Sequence, residues 1–157
     1  MMNTCPERSV GRWLSILHRM TMKHVADGLK EHGVGSGQAM FLLELFHCDG
    51  VRQEELSRLL NVDGATTTRA ITRLTQEGLV ERRPDPEDGR AHRIHLTPKA
   101  AGLQAHLLQV VSSCDDQLLS GLNDEEQELF LKLLVKMGQA TAPSGRCAGC
   151  KLSANCP

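Results

Sequence analysis

Short polar and basic side chains crowd one predicted helix, residues 64–77, in a pattern that suits contact with a nucleic-acid duplex. Threonine is a poor helix former, so three in succession at a helix start call for a reason. Such side chains can donate to phosphates or contact thymine methyl groups, and two arginines four residues apart can reach phosphates or guanine edges from one face. Taken alone, the pattern also fits a solvated basic surface. The predicted DNA-reading residues of this helix are Thr66, Thr67, Thr68, Arg69, Thr72 and Arg73.

A turn-rich segment after this helix supplies a second predicted contact. Residues 84–89 read Pro-Asp-Pro-Glu-Asp-Gly and separate two short stretches of strand character, which predicts a β-hairpin. Arg90 stands at its tip, where the negative potential of a minor groove would attract it, and Arg93 lies on the second strand. Asp88 is expected to hold an arginine by an ion pair, although turn chemistry alone also explains it. A helix followed by such a hairpin favours DNA contact over a solvated face.

Hydrophobic spacing predicts the helices that position these residues. Ser36 and Asp63 are expected to cap the second and fourth helices, and Thr97 before a proline starts the fifth. Asn123 with Glu126 three residues later is typical of a capping box. The predicted fold class is mainly α with a small β-hairpin wing, a winged helix-turn-helix. Apolar residues recur at helical spacing over about 7–31, 37–47, 52–60, 64–77 and 98–119, and again after 123.

The distribution of charge restricts how the chain could meet nucleic acid. The net charge of -1 argues against a generally basic coat. Residues 64–99 nevertheless hold seven Lys/Arg against five Asp/Glu, a net of +2. Residues 101–145 hold two lysines against six acids, a net of -4. A basic segment beside acidic helices fits a protein that touches DNA with one region only.

Apolar content and cysteine usage bound the cellular setting. No apolar run approaches the ~20 residues needed to span a bilayer, and the first ten residues lack the apolar core of a signal peptide. We therefore expect a cytoplasmic protein without membrane contact. In that reducing setting the cysteines are expected to be free thiols or metal ligands. Cys114 falls on the apolar stripe of the fifth helix and should be buried, while Cys48 should lie in the core or at its edge.

The helix, hairpin and following helix start together resemble the MarR family of winged helix-turn-helix regulators. The similarity covers roughly residues 10–140, and it is most specific in DGATTTRAITRLTQEG followed by GLVERRPDPEDGRAHRIHLTPKA. It implies an obligate homodimer with interlocked terminal helices, and two winged lobes on a pseudo-palindromic operator of double-stranded DNA, usually as a repressor. By position, residues 66–73 match the family's recognition helix, and Asp88 and Arg90 match its wing aspartate and arginine. Gly89 replaces a second wing arginine common in the family.

The resemblance also implies a domain organisation. A MarR-type domain would span 7–140, with a DNA-binding lobe at about 36–97, dimerisation helices at about 7–31 and 98–140, and a cysteine-containing tail at 141–157. A small-molecule, metal or redox signal would shift the two lobes and so lower operator affinity. Two alternatives are a winged helix used as a protein-interaction module and a metal or iron–sulfur sensor in which the tail is primary.

The cysteine tail is not part of the usual family pattern. Cys147 and Cys150 form a C-x2-C pair that can reach one metal from a tight turn, and Cys156 adds a third thiolate. Cys156 before a proline is also typical of ferredoxin cluster motifs. Cys5 is the candidate fourth ligand, since interlocked terminal helices would bring chain starts near chain ends. Zinc, an iron–sulfur cluster, a thiol switch and an incidental tail all stay open. A thioredoxin-type enzyme is not expected, because no βαβ pattern surrounds the pair.

Overall fold

The computed structural model describes residues 6–141 of the 157-residue chain. Within them the predicted fold class, mainly helical with a small antiparallel sheet, is confirmed. Short 3-10 turns at Pro6–Arg8 and Lys30–His32 flank the first helix. The helices are α1 (Val10–Leu29), α2 (Ser36–His47), α3 (Gln53–Leu59), α4 (Gly64–Gln76), α5 (Pro98–Leu119) and α6 (Asp124–Thr141); the strands are β1 (Val51–Arg52), β2 (Val80–Pro84) and β3 (His92–Leu96).

Side-chain caps set several of these helix starts. The predicted capping box of α6 is confirmed, because Asn123 Oδ1 accepts from the Glu126 amide while Glu126 Oε2 accepts from the Asn123 amide, both at 3.0 Å. The expected cap at Ser36 is wrong, because Ser36 is the first helical residue and Gly35 is the cap. Gln38 Oε1 accepts from the Gly35 amide at 2.9 Å, so a side chain of the first turn satisfies the backbone donor of the cap residue.

The sheet has one more strand than the predicted hairpin. Its order is β1-β3-β2 and both pairings are antiparallel, with Val51 opposite Ile94 and Val80 opposite Leu96. β1 holds only two residues, which is too short to show the alternation that marks a strand in sequence. Because β1 runs directly into α3, the third strand joins the wing to the helix-turn-helix.

One hydrophobic cluster joins α1 to α5 with the sheet. Cys114 is buried as expected, and Cys48 is partly buried against the cluster. The α4 helix contributes its inward side chains, while β3 contributes Ile94. These mostly aliphatic side chains therefore form one core, and α4 packs on it with its inward residues. Fully buried side chains include Leu29, Leu42, Leu45, Leu56, Ile71, Leu74, Leu79, Ile94 and Leu107.

The α1 and α5 helices pack against each other closely. A Cβ on Gly28 would lie 2.7 Å from Val110 Cγ1, so only glycine allows this approach. His106 Nε2 lies 2.9 Å from the Gly28 carbonyl oxygen on the same contact. By contrast, large apolar side chains at the start of α1 and along α6 are exposed. None of the helices in residues 6–141 combines the length and apolar character needed to cross a membrane.

Candidate nucleic-acid interface

The α4 helix is fixed at its start by Asp63. Asp63 Oδ1 accepts from the Thr66 amide at 2.8 Å, and Asp63 Oδ2 accepts from Thr66 Oγ1 at 2.7 Å. These two bonds lower the pKa of Asp63, because both stabilise its charged form. Thr66 Oγ1 in turn accepts from Arg69 Nη2 at 3.0 Å. The cap therefore also orients Arg69.

Thr67 does not face DNA, which corrects the prediction for this residue. Its relative exposure is 0%, because position 67 shares the inward stripe of Ala70, Ile71 and Leu74. Ser57 Oγ lies 2.8 Å from Thr67 Oγ1, and Thr67 Oγ1 donates to the Asp63 carbonyl at 3.2 Å. The buried hydroxyl thus ties α3 to α4 and stabilises the angle of the helix-turn-helix.

The opposite side of α4 carries four exposed residues of the predicted set: Thr68, Arg69, Thr72 and Arg73. Thr68 Oγ1 donates to the Gly64 carbonyl at 2.8 Å and accepts from Gln53 Nε2 at 2.9 Å. Gln53 is the first residue of α3, so this bond joins the two helices at the exposed surface. The four side chains form a polar, cationic face along α4.

Arg82 extends this face, although it was not among the predicted contact residues. Its Nη2 donates to Thr72 Oγ1 at 3.3 Å, so a side chain of β2 reaches the exposed side of α4. A signal was present in the sequence, because Arg82 follows buried Val80 by two residues and strand alternation puts both on one side. We define the recognition face as Thr68, Arg69, Thr72, Arg73 and Arg82.

A buried carboxylate organises the wing, and it is Asp85 rather than Asp88. The Asp85 side chain has 0% exposure; its Oδ2 accepts from Arg52 Nε at 2.6 Å and from Arg93 Nε at 3.0 Å. Its Oδ1 accepts from the Glu87 amide at 2.8 Å. The Arg52 hydrogen bond, followed by that from Glu87, lowers the pKa of Asp85 from 3.8 to about 2. Asp85 is therefore a carboxylate at neutral pH.

This cluster bears on two wing predictions. Arg93 was predicted to contact DNA; its guanidinium bonds Asp85 and the Gly50 carbonyl, the latter at 3.2 Å, so it also stabilises the wing, and its DNA contact stays a prediction. Asp88 was expected to hold an arginine side chain by an ion pair. Instead its Oδ1 accepts from the Arg90 amide at 3.0 Å, which is turn chemistry. Arg90 itself is exposed at the tip, as predicted.

The predicted metal ligands Cys5, Cys147, Cys150 and Cys156 lie outside the described residues. Within residues 6–141 there is no group of three or more His, Cys, Asp or Glu side chains that could hold a metal ion.

A helix-turn-helix with an exposed cationic helix face and a three-stranded wing defines a winged-helix DNA-binding protein. Residues 36–92 match the model of the MarR family, and the chain belongs to this family of transcriptional regulators. The predicted class of function, a DNA-binding regulator and not an enzyme, is thereby confirmed.

Individual relatives agree with this assignment. The chain is 34% identical to a MarR transcriptional regulator from Methanosarcina mazei Go1, with a TM-score of 0.81 over 83% of this chain and 94% of that one. It is 28% identical over 105 residues to the HTH-type transcriptional regulator YdgJ of Bacillus subtilis (strain 168), covering 67% of this chain and 64% of YdgJ. A MarR family regulator from Listeria monocytogenes complexed with 26mer DNA shares the fold at 21% identity, with a TM-score of 0.79 over 85% of this chain and 89% of that one.

Proposed function

We propose that the protein is a homodimeric repressor that binds a pseudo-palindromic operator in double-stranded DNA and is released by an effector. The carrying observation is the recognition face itself, in which Arg82 of β2 bonds Thr72 of α4 and so joins wing and helix in one cationic surface. In this proposal α4 enters the major groove, where Arg69 and Arg73 reach guanine edges or phosphates. Arg90 at the wing tip enters the neighbouring minor groove, and Asp88 shapes its turn.

The exposed apolar side chains of α1 and α6 support the dimer. Side chains of this size cost free energy in water when they are contiguous, and a partner surface removes that cost. The first helix contributes Val10, Trp13 and Leu14, which are 62%, 46% and 42% exposed. We propose that these helices and α5 form the dimerisation unit, and that residues from about 36 to 97 form the DNA-binding lobe. In α6 the exposed set is Leu129, Leu131, Leu133, Val135 and Met137.

Two-fold symmetry determines the form of the operator. Each lobe of a symmetric dimer meets one half-site, so the two half-sites form an inverted repeat. Recognition helices in adjacent major grooves on one side of the duplex stand about 34–36 Å apart, which corresponds to one turn of B-DNA. Footprinting should therefore protect two similar segments about one turn apart.

A cleft beside the C-terminal end of α4 supports an effector site. Its volume is about 610 Å³, within the range of small-molecule pockets. Two of its lining residues are bonded, because Lys99 Nζ donates to the Glu77 carbonyl at 2.6 Å, and Thr97 Oγ1 donates to the next carbonyl, that of Gly78, at 2.7 Å. An occupant would act on the joint between recognition helix and α5, and so on lobe spacing. Lining residues include Lys30, His32, Glu77, Leu79, Lys99 and Leu103.

The cleft can be narrowed without disturbing the core. Gly102 of α5 lines it, and a Cβ there would meet nothing within 4 Å. Gly102→Phe should therefore abolish release by any small molecule that dissociates the wild-type complex in a screen, while Gly102→Ala retains it. If Gly102→Phe releases DNA as readily as Gly102→Ala and the wild type, this cleft is not the effector site.

DNA binding itself is tested by titrating fluorescent duplexes from the upstream region of the chain's own gene at several salt concentrations. Arg69→Ala and Arg73→Ala should each weaken binding, because each removes a charge that meets DNA. Lys23→Gln is the matched control, since it removes one positive charge from an exposed pair with Asp27 on α1. Absence of binding to any duplex at low salt would contradict the proposal and favour a protein-interaction role.

A further inference from the structure

The hydroxyl protons of the three consecutive threonines are all used inside the protein. Thr66 donates to the Asp63 carboxylate, Thr67 to the Asp63 carbonyl and Thr68 to the Gly64 carbonyl. A hydroxyl group has one proton to donate. Donation from these side chains to DNA would therefore require breaking a bond that stabilises the first turn of α4.

Most groups that DNA presents to a major-groove helix are acceptors: phosphate oxygens, guanine O6 and N7, adenine N7 and thymine O4. Thr68 has no proton left for them, and its oxygen already accepts from Gln53 Nε2. Thr72, one turn further along the same side, receives Arg82 Nη2 on its oxygen. Both residues are exposed. Thr68 therefore offers a base its Cγ2 methyl group, whereas Thr72 offers both a Cγ2 methyl group and a hydroxyl proton.

We propose that this recognition helix reads thymine through its C5 methyl group, by contact with the Cγ2 methyls of Thr68 and Thr72, and that the Thr68 hydroxyl donates no hydrogen bond to DNA. This inference rests on the proposed insertion of α4 into the major groove. The two threonines lie four residues apart, which is about 6 Å along a helix axis. Base pairs rise by about 3.4 Å, so the two methyls meet neighbouring or next-neighbouring base pairs of one half-site.

The experiment compares thymine with deoxyuridine, which keeps O4 and the pairing edge but lacks the C5 methyl. The full chain first selects its preferred duplexes from a random 30-bp pool, and one selected duplex becomes the probe. Each thymine of the probe is then replaced singly by deoxyuridine. We expect Kd to rise about fourfold at one or two positions in each half-site, because each substitution removes one buried methyl-sized group. Kd should rise about sixteenfold when the same position is changed in both half-sites.

Isosteric variants of Thr68 separate its methyl from its hydroxyl. Thr68→Val keeps a methyl at this position and removes the hydroxyl, so it should keep the preference for thymine over deoxyuridine. Thr68→Ser keeps the hydroxyl and removes the methyl, so the ratio of the two Kd values at its contact position should fall to about one. Thr75→Ser is the matched control, because Thr75 also donates to the carbonyl four residues earlier, that of Ile71 at 2.8 Å, but lies in the last turn of α4.

The ratio of Kd values is measured on one preparation, so partial misfolding of a variant does not alter it. A wild-type protein that binds all deoxyuridine duplexes as tightly as the thymine probe would overturn the methyl reading, while the proposed function would stand. A thymine preference kept by Thr68→Ser and lost by Thr68→Val would also overturn the methyl reading, because the hydroxyl would then be the group that contacts the base. Failure to select any duplex would overturn the proposed function together with this inference.

Discussion

Gly89 at the wing tip offers a gain-of-function test of the DNA interface. A Cβ at this position would meet nothing within 4 Å, and Gly89 is not among the glycines with positive φ. An L-residue therefore fits without strain, beside exposed Arg90. Gly89→Arg introduces the second wing arginine that, by the family resemblance, Gly89 replaces, and we predict tighter DNA binding from it.

The size of the effect follows from counterion release. One added phosphate contact changes the slope of log K against log salt by about -0.9 on duplex DNA. At 0.1 M salt this corresponds to about eightfold in affinity for one subunit. A dimer with two wings on DNA gains about 1.8 in slope and roughly 60-fold in affinity as an upper bound, because ordering an arginine side chain offsets part of the gain.

Fluorescence anisotropy at four salt concentrations between about 0.05 and 0.3 M measures both quantities at once. Gly89→Gln is the matched control: it adds a long polar side chain without charge, so its slope should equal that of the wild type. The reasoning is refuted if Gly89→Arg binds no more tightly and its salt slope is unchanged. A tighter complex with an unchanged slope would also refute it, since the gain would not come from phosphate contact.

Three further outcomes test other parts of the structure. Asp85→Asn should lower the thermal midpoint at pH 7 by removing the ion pairs with Arg52 and Arg93. The folded pKa of Asp85 is lowered to about 2, so its contribution to wild-type stability is present above pH ~4 and lost as pH falls through about 2. The thermal midpoint of Asp85→Asn should therefore lack this dependence on pH. Leu133→Glu in α6 should convert a dimer to monomers in analytical ultracentrifugation, whereas Gln139→Glu on the same helix should not. The tail hypothesis expects metal in anaerobically purified protein and its loss when Cys147, Cys150 and Cys156 are replaced by serine; metal-free wild-type protein with unchanged operator affinity in the variant would contradict it.

Local patterns were sufficient to predict the recognition helix, but not the orientation of all its side chains. Its cap, Asp63, and its inward apolar residues follow from spacing and chemistry that the sequence displays directly. The prediction that Thr67 contacts DNA was wrong because Thr66, Thr67 and Thr68 are the same residue type. Residue type alone does not tell which of the three faces inward. Helical phase does separate them, since position 67 falls on the stripe of buried Ala70. That correction could therefore have been made from the sequence.

The wing cluster could not have been predicted in the same way. Asp85 is stabilised by Arg52, 33 residues earlier, and by Arg93, eight residues later. Nothing local to Asp85 or Asp88 determines which carboxylate is buried, because the answer depends on how β1 and β3 pair. Tertiary convergence of this kind leaves no short-range signature. The two-residue β1 strand escaped prediction because it is too short to show strand alternation.

The same cluster constrains how operator release could occur. Arg52 ends β1, α3 begins at the next residue, and Ser57 of α3 bonds buried Thr67 of α4. Wing, α3 and recognition helix are thus connected through one buried carboxylate and one buried hydroxyl. Moving the wing alone would break the Asp85 ion pairs, while moving α4 alone would break the α3 contact. In the proposed dimer, an effector would therefore change affinity at least cost by moving each lobe as a unit. The α5 helix, which bonds the end of α4 through Lys99 and Thr97, would be the element that transmits the signal.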